Sequence, residues 1–147
     1  TGWPGIKILM FAFGDDTANE HLPHNYTDCN LVVYAGTHDN ETLVSWLEDI
    51  TPAERRQVRK YLNNFKDSGK ELCDDLICLV MQSVANLCIV PMQDYLGLDN
   101  SARMNQPSTL GKNWKWRVNT RQLSLKLQKE IQEMTLRYGR MNWETVE

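Results

Sequence analysis

The chain has 147 residues, of which 41% are hydrophobic, with a formal net charge of −3 and a pI near 5.6. That length suits one ordinary domain able to bury a core of its own. The mild acidity leaves no basic stripe to neutralise phosphates, which argues against nucleic acid as a partner, and no apolar run approaches the ~20 residues of a membrane helix.

The opening, Thr1-Gly2-Trp3-Pro4, has no signal-peptide character and reads as the interior of a longer protein. The run Gly5-Ile6-Lys7-Ile8-Leu9-Met10-Phe11-Ala12-Phe13 predicts a first strand over Ile6 to Phe13, leading into Gly14-Asp15-Asp16. On such a strand Phe11 and Phe13 point the same way. Leu22-Pro23-His24-Asn25-Tyr26 reads as a proline-anchored turn. A second strand, Leu31 to Ala35, stops at Gly36, and four polar residues follow: Thr37, His38, Asp39 and Asn40. A short helix is expected from Glu41 to Leu47, with Trp46 on its buried face. Thr51-Pro52-Ala53-Glu54 is a capping box with proline at the first helical position, opening a helix toward Phe65. Its apolar face is Val58, Tyr61, Leu62 and Phe65, and Asp67-Ser68-Gly69 breaks it. A third helix, Glu71 to Asn86, carries Leu72, Leu76, Leu79, Val80 and Val84 at helical spacing. The third strand is Cys88 to Pro91. A helical turn at Asp99 to Met104 and a structured loop from Pro107 to Arg121 follow. Ser124 caps a final helix to about Tyr138, striped by Leu127, Ile131, Met134 and Tyr138. Cys29, Cys73, Cys78 and Cys88 have neither metal-ligand nor disulfide-framework spacing and read as buried free thiols in a reducing compartment, the cytoplasm.

The segment from Leu31 to Asn40 is the most informative about chemistry. Side chains just beyond a strand's carboxyl end are held by the sheet yet face an open crevice, and in barrels and open α/β sheets catalytic groups sit there. A plain turn is the alternative, with Asp39 or Asn40 capping the next helix.

Further pieces keep it company: Val90-Pro91-Met92-Gln93-Asp94-Tyr95-Leu96-Gly97-Leu98, then Ala102-Arg103-Met104-Asn105-Gln106-Pro107, then Gly111-Lys112-Asn113-Trp114-Lys115-Trp116-Arg117. With the three earlier segments and in this order, the set resembles the C-terminal part of the amylomaltase, or 4-α-glucanotransferase (disproportionating enzyme), family. The resemblance runs from about Gly2 to the last residue. It implies a (β/α)₈ barrel, which takes ~250 residues. Three strands cannot close one, so residues 1–147 are expected to be a C-terminal fragment of the catalytic barrel: its last three strands with their helices.

Retaining glycosyl transfer needs a carboxylate nucleophile and a carboxyl acid/base around an oxocarbenium-like transition state. A third carboxylate can hold the sugar hydroxyls as charge develops. By the resemblance, Asp39 is that third carboxylate, His38 binds the same donor sugar, Asp15 lies on the acceptor side of the cleft with Phe11 beside it, and Asn105 stands at the active-site mouth. Arg103 is expected to hold its loop in preference to a carboxylate, and Gln93 and Asp94 to support the site from behind in preference to facing the cleft. Ser108 replaces a frequent family glycine, and Gly14 a frequent acidic residue. The family's nucleophile and acid/base motifs have no match here.

The implied parent transfers a segment of an α-1,4-glucan to the 4-hydroxyl of glucose or another glucan, acting on malto-oligosaccharides without metal or organic cofactor. This chain alone is expected to be inactive and to self-associate through uncovered sheet edges and an uncovered apolar face. Related α-glucan hydrolysis, or a non-catalytic glucan-binding module, are the alternatives. Trp114 and Trp116 read as half-buried supports under their loop, and none of the tryptophans reads as a sugar platform.

Overall fold

The computed structural model describes residues 2–14, 16–65 and 68–141, in two compact units, Thr1–Arg117 and Val118–Glu147. The first unit is built on a three-stranded parallel sheet. Its strands are β1 (Gly5–Ile8), β2 (Leu31–Tyr34) and β3 (Leu87–Ile89), in the order β1-β2-β3. Ile6 pairs with Val32 and Ile8 with Tyr34, while Val32 pairs with Leu87 and Tyr34 with Ile89.

The two connections differ: β1 reaches β2 through short 3-10 turns at Leu9–Phe11 and Pro23–Asn25, whereas β2 reaches β3 through α-helices, the usual crossover between parallel strands. Helices α1 (Leu43–Asp49), α2 (Pro52–Leu62) and α3 (Gly69–Met81) lie between β2 and β3. The short α4 (Met92–Tyr95) follows β3. Helices α1, α2 and α4 all pack on α3, whose Leu72, Cys73, Leu76, Ile77, Leu79 and Val80 are buried. The starts of α1, α2 and α3 are chemically marked, whereas α4 follows Pro91 without a side-chain cap. Thr42, Thr51 and Ser68 accept the backbone N–H of Ser45, Glu54 and Glu71, and Glu54 returns a bond to Thr51 to complete the capping box.

Several boundaries differ from the sequence expectation. The first strand ends at Ile8 and passes into a 3-10 turn at Leu9–Phe11, closed by Ala12 N–H on Leu9 O at 2.9 Å. The outer N–H of Ile8 donates to His21 Nδ1 at 3.0 Å, and burial holds this imidazole below its usual pKa, suited to accepting. Phe11 and Phe13 consequently part company. Phe11 is exposed, edge-on to His21, and Phe13 is buried against Trp46 and Tyr61. Helix α1 starts at Leu43, so Glu41 precedes the cap. Helix α2 ends with Asn63 in the left-handed region (φ 51°), which leaves Phe65 exposed. Helix α3 ends at Met81, and Val84, beyond it, is exposed.

The two faces of the sheet are unlike. Leu31 and Val33 of β2 are buried with the helical core. On the opposite face, Ile6, Leu87 and Ile89 are exposed and Ile8, Val32 and Tyr34 half-buried, an apolar surface in register across all three strands. A parallel sheet is ordinarily covered on both sides. Among the described residues no helix is long and apolar enough to cross a membrane.

In the second unit, α5 (Leu125–Arg137) begins at Ser124, whose hydroxyl accepts the Leu127 N–H at 3.2 Å. Leu127, Ile131, Met134 and Tyr138 are its half-buried stripe, and the helix closes with Gly139 at φ 64°.

Candidate active site at the carboxyl end of the central strand

Strand β2 hands the chain to Ala35 and Gly36, both buried. Gly36 is required by a neighbour: a Cβ there would lie 2.8 Å from Sδ and Cε of Met10. The polar tetrad then folds into a tight turn. Asn40 Oδ1 accepts from the Thr37 N–H (2.8 Å) and hydroxyl (2.7 Å), and Asn40 N–H donates to Thr37 O at 3.1 Å. The Asp39 N–H donates to Thr37 Oγ1 at 3.3 Å. Neither Asp39 nor Asn40 caps the helix, because Thr42 does. Thr37 and Asn40 form the base of the turn, and His38 and Asp39 stand at its apex with side chains 57% and 46% exposed.

A second segment is laced onto this apex. The Arg103 guanidinium donates to Asp39 O at 2.6 Å and to Asn105 O at 2.9 Å, and it lies 3.7 Å from Glu41 Oε1. The Asn105 N–H donates to His38 O at 3.0 Å, and its side-chain amide donates to Asp39 Oδ1 at 2.5 Å. His38 Nε2 lies 3.3 Å from the same oxygen. The contacts of the Asp39 carboxylate thus converge on Oδ1, and among the described residues Oδ2 has no partner. A carboxylate fixed through one oxygen, with the other open to solvent, is prepared to receive a ligand hydroxyl. A cavity of about 220 Å³ opens beside the turn, lined by Tyr34, His38, Glu41, Asp94, Arg103 and Met104 among others.

Arg103 therefore does more than hold its own loop: it ties that loop to the backbone beneath Asp39 and pairs with Glu41. Glu41, expected inside the helix, instead accepts from Asn100 Nδ2 at 3.2 Å and faces Arg103. Gln93 and Asp94 are buried supports, as expected. Gln93 donates to Ala102 O at 3.1 Å, and Asp94 Oδ1 accepts the N–H of Leu43, the first residue of α1, at 2.8 Å. Burial pushes the Asp94 carboxyl up to about 6, against the opposing pull of that N–H.

The structure brings together His38, Asp39 and Asn105. Phe11 sits after the neighbouring strand against His21, and no contact joins it to Asp39 among the described residues. Asp15 lies outside the described residues. Ser108, in place of a family glycine, adopts φ 63°, so the loop keeps the left-handed backbone that glycine would favour. Three residues at the turn, Thr37, Asn40 and Trp114, were not among the site residues expected from sequence. Thr37 and Asn40 had a signal in their spacing, that of a side-chain-closed turn. Trp114 had none: its ring lies 5.0 Å from the His38 ring, tilted 40°. Among the described residues no group of three or more His, Cys, Asp or Glu is placed to hold a metal ion.

The sequence profile of the 4-alpha-glucanotransferase family matches residues 1–124. The chain belongs to that family. The 4-alpha-glucanotransferase of Clostridium butyricum is 45% identical over 141 residues, covering 95% of this chain and 28% of that protein. The chloroplastic/amyloplastic 4-alpha-glucanotransferase of Solanum tuberosum is 42% identical over 141 residues, covering 94% and 24% respectively. The structure of the amylomaltase from Streptococcus agalactiae in complex with acarbose superposes with a TM-score of 0.89 at 36% identity, over 97% of this chain and 28% of that one. The chain thus spans about a quarter of the length of these glucanotransferases. Its sheet and helices match part of a (β/α)₈ barrel enzyme, and the parallel order β1-β2-β3 is consistent with that.

Proposed function

We propose that this chain supplies the third carboxylate of a retaining 4-α-glucanotransferase. Asp39 holds hydroxyls of the donor glucose as the anomeric carbon gains positive charge, and His38 and Asn105 hold Asp39 and bind the same sugar. The carrying observation is the one-sided anchoring of the Asp39 carboxylate, with Oδ1 engaged and Oδ2 open. The substrates are α-1,4-glucans and malto-oligosaccharides, with glucose or another glucan as acceptor. The saccharide-like acarbose held by the S. agalactiae relative supports that class of ligand. Asp15 and Phe11 belong to the acceptor side in this reading.

The reaction is a double displacement. A carboxylate nucleophile displaces the leaving glucan, whose oxygen takes a proton from the acid. The acceptor 4-hydroxyl then displaces the enzyme and returns its proton to the same group. Neither reacting carboxyl is matched in these 147 residues. The chain by itself should leave maltotriose unchanged, and the full-length protein that carries it should convert maltotriose into longer glucans and glucose. Formation of glucose and maltose alone would identify a hydrolase instead.

The bare face with Ile6, Leu87 and Ile89 supports self-association of the isolated chain. Light scattering should find dimers or larger species, and a dilute monomer that binds no apolar dye would contradict this. Of the four cysteines, expected to be buried, only Cys73 is fully so, and Cys29 is exposed; that none forms a disulfide supports a reducing compartment, the cytoplasm in this reading.

A further inference from the structure

We propose that Trp114 is a positioning residue that fixes the plane of the His38 imidazole, an inference that rests on the sugar-binding role of His38 given above. The backbone of His38 is held by Asn105, but its ring is not gripped by the sheet. It is 57% exposed, with Asp39 Oδ1 at 3.3 Å from Nε2 and the indole of Trp114 at 5.0 Å between ring centroids. Without the indole the imidazole could swing about its side-chain bonds, and Nε2 would leave both Asp39 and the sugar position.

Trp114 is placed there at a cost. Its φ is 64°, a left-handed conformation that bulky residues rarely adopt. The indole stays 51% exposed, so burial in a core does not offset that strain. Neighbouring bonds enforce it instead. Trp114 N–H donates to Met104 O at 2.6 Å, next to the Arg103–Asn105 segment that grips Asp39. Asn113 closes the preceding loop, accepting from Gln106 N–H at 3.0 Å and donating to Thr109 O at 3.0 Å. Arg117 closes the following one, donating to Trp114 O at 2.9 Å and Trp116 O at 2.7 Å. The loop is thereby pinned on both sides of a strained residue whose ring meets an imidazole.

Two substitutions separate the ring from the backbone. Trp114→Gly suits φ 64° and deletes the indole, whereas Trp114→Phe keeps an aromatic ring on the same strained backbone. In the full-length protein, Trp114→Gly should retain the melting temperature while kcat/KM for maltotriose falls about tenfold, the scale of one displaced hydrogen bond. Trp114→Phe should restore most of it. In a His38→Ala background, Trp114→Gly should cost nothing further, because its effect passes through the imidazole. NMR gives an independent readout: nuclear Overhauser contacts between the His38 ring protons and the Asp39 side chain should weaken in Trp114→Gly and persist in Trp114→Phe. Equal loss with and without His38 would overturn the proposal, since Trp114 would then act on its own. If His38→Ala and Asp39→Asn both leave turnover intact, the sugar-binding reading fails. The positioning claim is then decided by those Overhauser contacts, and undiminished His38–Asp39 contacts in Trp114→Gly would refute it.

Discussion

Asp39 and Asp94 each follow a strand of the same sheet, yet their surroundings are opposed. Asp94 is 1% exposed, its Oδ1 accepts the N–H that opens α1, and burial raises its pKa to about 6. Asp39 is 46% exposed at the side chain, has one oxygen held by Asn105 and His38, and presents the other to solvent. The carboxyl that burial perturbs, Asp94, anchors the start of a helix. A shifted pKa marks burial, and burial serves a fold as readily as a reaction. What marks Asp39 is unspent acceptor capacity on a rigid base.

The contrast breaks most sharply by removing each carboxylate in turn. Asp39→Ala in the full-length protein should lower turnover about a thousandfold or more, with the melting temperature unmoved, because the lost interaction matters most in the transition state. Steady-state kinetics beside a thermal scan would show it. A stability loss without a rate loss would exchange the two roles.

Asp94→Asn should do the reverse, leaving turnover near normal and changing the pH dependence of stability. The folded carboxyl, at about 6, binds its proton more tightly than an unfolded one at 3.8. The resulting contribution is fully present below the unfolded value and is lost as pH rises through the folded one, by roughly 2–3 kcal/mol. Asparagine keeps an acceptor for Leu43 without the titration. The stability difference between Asp94→Asn and the parent, measured by denaturant unfolding at several pH values, should therefore grow in the variant's favour from pH 4 to 7. A difference independent of pH would mean that Asp94 does not titrate in this range.

Smaller effects sharpen the same comparison. Asn105→Ala should reduce turnover by roughly tenfold, the worth of about 1.5 kcal/mol for a hydrogen bond to a charged carboxylate, with the loss in kcat if the amide orients Asp39. Thr42→Ala removes the cap of α1 on the Asp94 side. It should cost about 1 kcal/mol of stability and leave kcat unchanged, a result that unfolding curves and initial rates would check together.

Local chemistry was legible in the sequence, and long-range exchange was not. The β-branched run at Leu31–Tyr34, the capping box at Thr51 and Glu54, and the cap at Ser124 each announce their element within a few residues. The first strand was overextended because its apolar pattern continues through Phe13, while the chain turns at Leu9 where Met10 and Ala12 are drawn into the core. The fourth helix passed unread because one turn carries no periodicity. At the site, Asp39, His38 and Asn105 were reached through the order of motifs. The pull of Arg103 on Asp39 spans 64 positions, so neither spacing nor composition reveals it. Trp114 depends on a left-handed backbone at a residue type that gives no warning of one.

The central claim is that the Asp39 charge acts in the transition state more than in substrate binding. Asp39→Asn keeps the shape and an acceptor for Asn105 while removing the charge, so the steady-state kinetics of this variant in the full-length protein on maltotriose address the claim directly. The account predicts kcat lower by about a thousandfold with KM within a few-fold of the parent. A near-normal kcat with KM raised many-fold would contradict it, and would make Asp39 a ground-state sugar contact.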